Sequence, residues 1–212
     1  MARRRIASLG PIGDEEALEF ARAYTWRGGR MRPTQTAEEI LWLLAQVRER
    51  QPRVVVEIGT DEGGTLFLWP RAAAPDALIV ALDSRPMGRL GRVSPYALVR
   101  RGFARNGQRV KLLLPRDSHD PRTVEELRRL LSGASVDFLF IDGDHSYEGV
   151  KMDFDLYSPL VRPGGIVALH DIASTLAPGV KRFWSELVAS HETEELIASE
   201  FGIGVVHVPT AS

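Results

Sequence analysis

The chain has 212 residues, 44% hydrophobic and 26% charged, which suits one globular domain with a real core. Its formal net charge of −1 argues against a general nucleic-acid or membrane-surface binder, and the absence of cysteine excludes disulfides, zinc–thiolate sites and thiol nucleophiles. No apolar run approaches the roughly 20 residues that span a bilayer. Gly10-Pro11-Ile12-Gly13-Asp14 interrupts any signal-peptide core after Arg3-Arg4-Arg5, so a cytoplasmic protein with a solvated basic terminus is expected.

Asp14 to Tyr24 is predicted helical, with Ala17, Leu18 and Ala21 available to pack. Trp26 to Pro33, rich in glycine and closed by proline, reads as a loop. Thr36 caps the next helix with Glu39 as capping-box partner; Ile40, Leu41, Leu44 and Val47 form its stripe, and Pro52 closes it. Val54–Ile58 is apolar apart from Glu57, as in a buried parallel strand. A helix at Thr65–Ala73, a strand at Leu78–Leu82, a helix at Tyr96–Arg105 and a strand at Val110–Leu114 follow. Thr123–Leu131 is an amphipathic helix, Phe138–Ile141 a strand and Tyr147–Tyr157 a helix. Pro163-Gly164-Gly165 turns into a strand at Ile166–Leu169, and Val180–Ser190 is helical. Glu194–Ala198 and Ile203–Val208 form a closing hairpin. This alternation predicts an α/β fold, a doubly wound, mostly parallel sheet with an antiparallel edge. Residues 1–50 form an N-terminal helical extension on a domain spanning 51–212, in one structural domain.

Chemistry-bearing residues gather where strands end. The turn Glu57-Ile58-Gly59-Thr60-Asp61-Glu62-Gly63-Gly64 joins a strand to a helix, where nucleotide-type ligands are held. It is not a dinucleotide fingerprint: Asp61 stands where G-x-G-x-x-G needs glycine, and its carboxylate would oppose a pyrophosphate. Asp83, closing the next strand, suits a carboxylate accepting from ribose hydroxyls. Glu57 either accepts from an ammonium group or orders the loop. A ligand with ribose, a cationic end and no phosphate fits S-adenosylmethionine better than NAD. The bland alternative is that Gly63 and Gly64 only permit close helix–strand packing. Asp117-Ser118 is placed either to contact an adenine amine or to cap a helix, and His119 reads as solvated. In DFLFIDGDHSYEGV an apolar strand stops at two carboxylates and an imidazole, a cluster costly to desolvate without a reason.

Glu57-x-Gly59-x-x-x-Gly63, Asp83 and Pro163-Gly164-Gly165 before a strand resemble class I S-adenosylmethionine-dependent methyltransferases. More narrowly, EIGTDEGGTLFLW, FIDGDHSYEGVKMDFDLY and RPGGIVALHD resemble small bacterial O-methyltransferases acting on macrolide and aminocoumarin sugars. YTWRGGRMRPTQ is similar to the related cephalosporin hydroxylases. The resemblance covers roughly residues 24–208 and implies a seven-stranded, Rossmann-like sheet with its last strand antiparallel. It implies cofactor contacts from Glu57, Gly59, Asp83, Ser118 and Asp142, with Thr60, Gly63, Ser84 and Asp117 assigned beside them. It also implies a magnesium site at positions matching Asp142, His170 and Asp171. Here His170 replaces an oxygen donor; magnesium prefers oxygen, whereas imidazole suits manganese, iron or zinc.

Within that resemblance, Asp142 lies between cofactor and acceptor, and His145 sits above it on the first turn of the next helix. His145 is the leading general base, with Asp142, Asp171 and a divalent ion assisting; the alternative is a helix cap or a structural pair with Asp142. Asp144 reads as a turn residue, Ser146 as an N-cap and Tyr147 as packing. Lys151, Asp153 and Asp155 read as a solvated helix face, and His191 and His207 as peripheral. Trp26, Arg30, Met31, Arg32 and Gln35 could form a lid, joined by the basic loop 85–92. The expected activity is O-methyl transfer to a small hydroxylated acceptor such as a sugar or glycosylated metabolite, with no nucleic-acid or membrane partner. Competing readings are an NAD-dependent oxidoreductase, a non-catalytic S-adenosylmethionine-binding module and a hydroxylase. The N-terminal helices either cover the site or build a homo-oligomer.

Overall fold

Val54–Ile58 (β3), Leu78–Leu82 (β4) and Val136–Ile141 (β6) are almost wholly buried, because helices cover both faces of the sheet they form. The architecture comes from a computed structural model, which describes residues 6, 9–26, 29–84, 97–105 and 107–210. Arg109–Leu113 (β5), Val161–His170 (β7), Glu192–Leu196 (β8) and Ile203–His207 (β9) complete seven strands in the order β5-β4-β3-β6-β7-β9-β8. β3, β4, β5, β6 and β7 pair in parallel, while β9 runs antiparallel to both neighbours. The chain order reverses between β3 and β6, which is where an open α/β sheet opens a crevice at its strand ends.

One face is covered by Asp14–Ala23 (α1), Ala37–Arg50 (α2) and Gly64–Ala72 (α3). Leu18, Ile40, Leu44, Phe67 and Trp69 from these helices share a core with Val55, Phe138 and Phe140 of the sheet. The other face is covered by Pro121–Leu131 (α5), Tyr147–Tyr157 (α6) and Pro178–Ser190 (α7), with Leu127, Phe154, Phe183 and Trp184 packed on Val56, Leu139 and Val167. No described helix is long and apolar enough to cross a membrane.

Several elements depart from expectation. The segment read as a loop holds two short strands, Thr25–Trp26 (β1) and Gly29–Arg30 (β2), paired antiparallel. The Tyr96–Arg105 helix breaks into Ala97–Arg100 (α4) and a 3₁₀ turn at Arg101–Phe103. Pro163-Gly164-Gly165 lies inside β7, which begins at Val161 and shifts register against β6 between Val136 and Phe138. Thr36 caps α2 by accepting from the Glu39 amide at 3.4 Å, but no capping box closes. Glu39 is fully buried, and its Oε1 accepts from the Ala198 and Gly202 amides and the Ser199 hydroxyl at 2.8–3.1 Å. Glu39 therefore ties α2 to the β8–β9 loop. The basic loop 85–92 and Arg3-Arg4-Arg5 lie outside the described residues.

Candidate active site

Gly59 ends β3 with a φ of +83°, a conformation glycine adopts without penalty. A side chain there would overlap the Asp142 carbonyl, so the β3 and β6 loops touch backbone to backbone. The Asp142 amide donates to the Ile58 carbonyl at 2.8 Å and the Gly59 amide to the Leu82 carbonyl at 2.9 Å. This close stacking of strand ends shapes a cleft of about 400 Å³. Its walls include Gly59, Asp83, Ser84, Asp117, Ser118 and Asp142, all assigned from sequence to the cofactor. Asp83 is buried, and its Oδ2 accepts from the Thr60 and Asp61 amides at 3.1 and 2.9 Å.

Glu57, Thr60 and Gly63 are not part of that lining. Glu57 is fully buried and accepts from Thr60 Oγ1, Thr65 Oγ1 and Trp69 Nε1 at 2.5–2.8 Å. Burial pushes its carboxyl up to about 7 despite those three donors. The geometry gives Glu57 the task of ordering the turn. Gly63, at φ +82°, lies against the guanidinium of buried Arg100, whose Nη2 donates to the Asp61 carbonyl at 2.6 Å. Gly64 admits the backbone of Arg32 and Pro33, bringing the N-terminal segment over the start of α3.

A second cluster sits at the ends of β6 and β7. His170 Nδ1 lies 3.2 Å from both Asp142 Oδ1 and Asp171 Oδ2. His145 Nε2 lies 3.3 Å from Asp171 Oδ2 but 3.8 Å from Asp142 Oδ1, the latter an ion-pair rather than a hydrogen-bond distance. Asp171 holds a φ of +64°, a left-handed conformation aspartate tolerates, as residues at functional sites often do. Burial alone would lower His170, but Asp142 and Asp171 outweigh it and raise the imidazole to about 10. Burial would raise Asp142, yet His170 and His145 hold it below the usual carboxylate range. Asp142 and then Asp171 likewise hold His145 above its ordinary value. Asp142, His170 and Asp171 offer one ligand atom each within 4.8 Å of one another. Two carboxylates with one imidazole fit iron(II), zinc or manganese better than magnesium.

Gln35 is buried, and its Nε2 donates to Asp142 Oδ2 at 2.7 Å. It adjoins a second cavity, of about 720 Å³, lined by Arg22, Arg30, Arg32, Gln35 and Phe201 among others. Three of the five suggested lid residues, Arg30, Arg32 and Gln35, line it; Met31 is fully buried in the core instead, and Arg30 pairs with Glu62 at 2.6 Å. The Phe201 ring stacks on His170 with centroids 5.9 Å apart, linking the β8–β9 loop to the acidic cluster.

Other sequence assignments shift. His145 precedes the N-cap Ser146, so it stands on the loop rather than the first helical turn. Asp144 accepts from the Ser146 amide at 2.8 Å, and Ser146 from the Gly149 amide at 3.0 Å, as a turn residue and a cap. Asp120, not Asp117 or Ser118, caps α5. Tyr147 packs edge-on to Phe183. Asp153 is fully buried, not solvated, and lies 3.3 Å from Nε2 of a half-buried His119. Burial pushes the Asp153 carboxyl up to about 6 beneath the 117–119 loop. Helical spacing alone gives it a solvated face; His119, on the loop after β5, packs against it.

An open α/β sheet with a carboxylate-lined cleft at its switch point defines a Rossmann-like ligand-binding protein. The profile of a family described as "Methyltransferase domain" matches residues 56–172, and the chain belongs to that family. It is 31% identical over 155 residues to "Uncharacterized protein y4gI" of Sinorhizobium fredii (strain NBRC 101917 / NGR234), covering 70% of this chain and 16% of that protein. It is 36% identical over 132 residues to "Uncharacterized protein R132" of Acanthamoeba polyphaga mimivirus, covering 62% of this chain and 57% of that one. The chain thus spans less than two thirds of either curated relative. Among solved structures, the O-methyltransferase TomG from Streptomyces achromogenes, in complex with SAM, is similar in fold with a TM-score of 0.59. That match is 19% identical and covers 98% of this chain and 95% of TomG.

Proposed function

We propose that the chain is an S-adenosylmethionine-dependent O-methyltransferase acting on a hydroxyl of a small polar acceptor, with a sugar or glycosylated metabolite as the favoured class. The observation that carries this is the adjoining of two spaces at Asp142. One oxygen of that carboxylate faces His170 and His145, and the other is held by Gln35 from the wall of the larger cavity. The cleft side carries what a cationic nucleoside needs. Gly59 and Ser118 line it, and Asp83 offers a carboxylate to ribose hydroxyls. Asp61, also in the lining, would oppose a pyrophosphate and so disfavours the nicotinamide reading.

S-adenosylmethionine supplies an electrophilic methyl group when bound; the rest falls to the chain. His145, half-exposed and beside Asp171, is placed to take the acceptor proton, and Asp171 with Asp142 stabilises the imidazolium that results. Those carboxylates raise its pKa, so the base form of His145 gains population at higher pH than that of an unpaired histidine. Asp142, His170 and Asp171 would hold a divalent ion, which would lower the acceptor hydroxyl's pKa. Incubation with S-adenosylmethionine and a panel of sugar and phenolic hydroxyl acceptors tests the reading. Formation of S-adenosylhomocysteine that depends on acceptor supports it, and binding without turnover on every acceptor class supports the non-catalytic module instead.

A further inference from the structure

We infer that the chain carries a second ligand site, for a small organic carboxylate with an apolar tail, in the cavity around Arg71. The cavity holds about 530 Å³ and is bounded by residues that precede β3, β4 and β5, such as Gln51, Pro75 and Gln108. It therefore lies at the opposite ends of the strands from the Asp142 cleft. Arg71 belongs to the last turn of α3 and is 7% exposed. Its guanidinium lies 3.4 Å over the Phe67 ring, and Nη1 donates to the Phe67 carbonyl at 2.6 Å.

No carboxylate of the described residues pairs with Arg71, and no aspartate or glutamate lines the cavity. A buried cation left unpaired costs several kcal/mol, and one carbonyl with one aromatic face offsets only part of that. The neighbouring charge is also positive. Burial first and Arg105 second lower the Arg71 guanidinium to about 9, so the fold gathers positive charge there rather than dispersing it. Arg48, also in the lining, is already paired with Asp14. Ile6, Leu9, Ile12 and Phe103 give the wall an apolar stretch beside the polar Gln51 and Gln108. A carboxylate between Arg71 and Arg105, with its tail on those residues, satisfies both features at once; a neutral or cationic ligand satisfies only one.

Calorimetric titration of sodium octanoate into the full chain tests this, with 1-octanol and inorganic phosphate as comparison probes, alone and with S-adenosylhomocysteine present. Saturable binding of one octanoate is expected, unaffected by S-adenosylhomocysteine and about tenfold tighter than either comparison probe. Arg105→Ala, at an exposed position, and Arg71→Gln should each weaken octanoate about tenfold. The Arg105 variant keeps the test valid where the Arg71 variant fails to fold. Equal binding of octanol, competition with S-adenosylhomocysteine, unchanged affinity in Arg105→Ala, or no saturation overturns the proposal.

Discussion

Asp142 is the residue on which the proposed chemistry converges, since His145, His170 and Gln35 all contact one or other of its oxygens. Replacing it with asparagine removes the charge that orients both imidazoles, so kcat should fall on the order of 10²–10³-fold. His145→Gln should lower kcat about 10²-fold with little change in cofactor affinity, because its ring does not line the cleft. Steady-state kinetics with a cofactor titration separates the two effects; an active His145→Gln would leave the base role unfilled. Glu57 gives a prediction about stability. Its carboxyl is raised from 4.5 to about 7, so the folded state holds that proton more tightly than the unfolded chain does. Its contribution is present below about pH 4.5 and is lost as pH rises to about 7, by roughly 3 kcal/mol. Urea denaturation of the wild type and Glu57→Gln should show the stability difference shrinking over that window; a difference flat with pH would contradict the assignment.

At the level of elements, the strands were legible because buried parallel strands are short apolar runs, and Val54–Ile58 and Leu78–Leu82 matched to the residue. Strand-end acids were legible for a related reason: Asp83 and Asp142 interrupt such runs with no local need. What escaped the sequence depends on distant pairing. Glu39 looked like a cap partner, yet it holds a loop some 160 residues away, and Asp153 looked solvated until the 117–119 loop covered it. Gln35 meets Asp142 across |i−j| = 107, a distance no local spacing reveals. The Glu39 tie carries a prediction of its own. Glu39→Ala leaves the Ala198 and Gly202 amides without an acceptor and loosens the loop that presents Phe201 to His170. A loss of about 2–4 kcal/mol is expected in urea denaturation, with turnover falling more than cofactor affinity. Unchanged stability would show that solvent or a rearranged loop replaces the tie.

Across the whole molecule, the two proposed ligand sites lie at opposite ends of the parallel strands. Parallel strands place Gly59, Asp83, Asp142 and His170 together at their carboxyl ends, with the N-terminal segment closing over them through Gln35. Since α1 and α2 share a core with β3 and β6, that closure is built into the folded chain rather than attached to it. The proposed function requires the Asp142 cleft to hold the nucleoside cofactor. Calorimetric titration of S-adenosylhomocysteine, repeated with EDTA and with manganese, measures this directly. Saturable 1:1 binding is expected, with manganese tightening it if the Asp142, His170 and Asp171 donors are filled. A folded protein that binds no S-adenosylhomocysteine with or without the ion would contradict it.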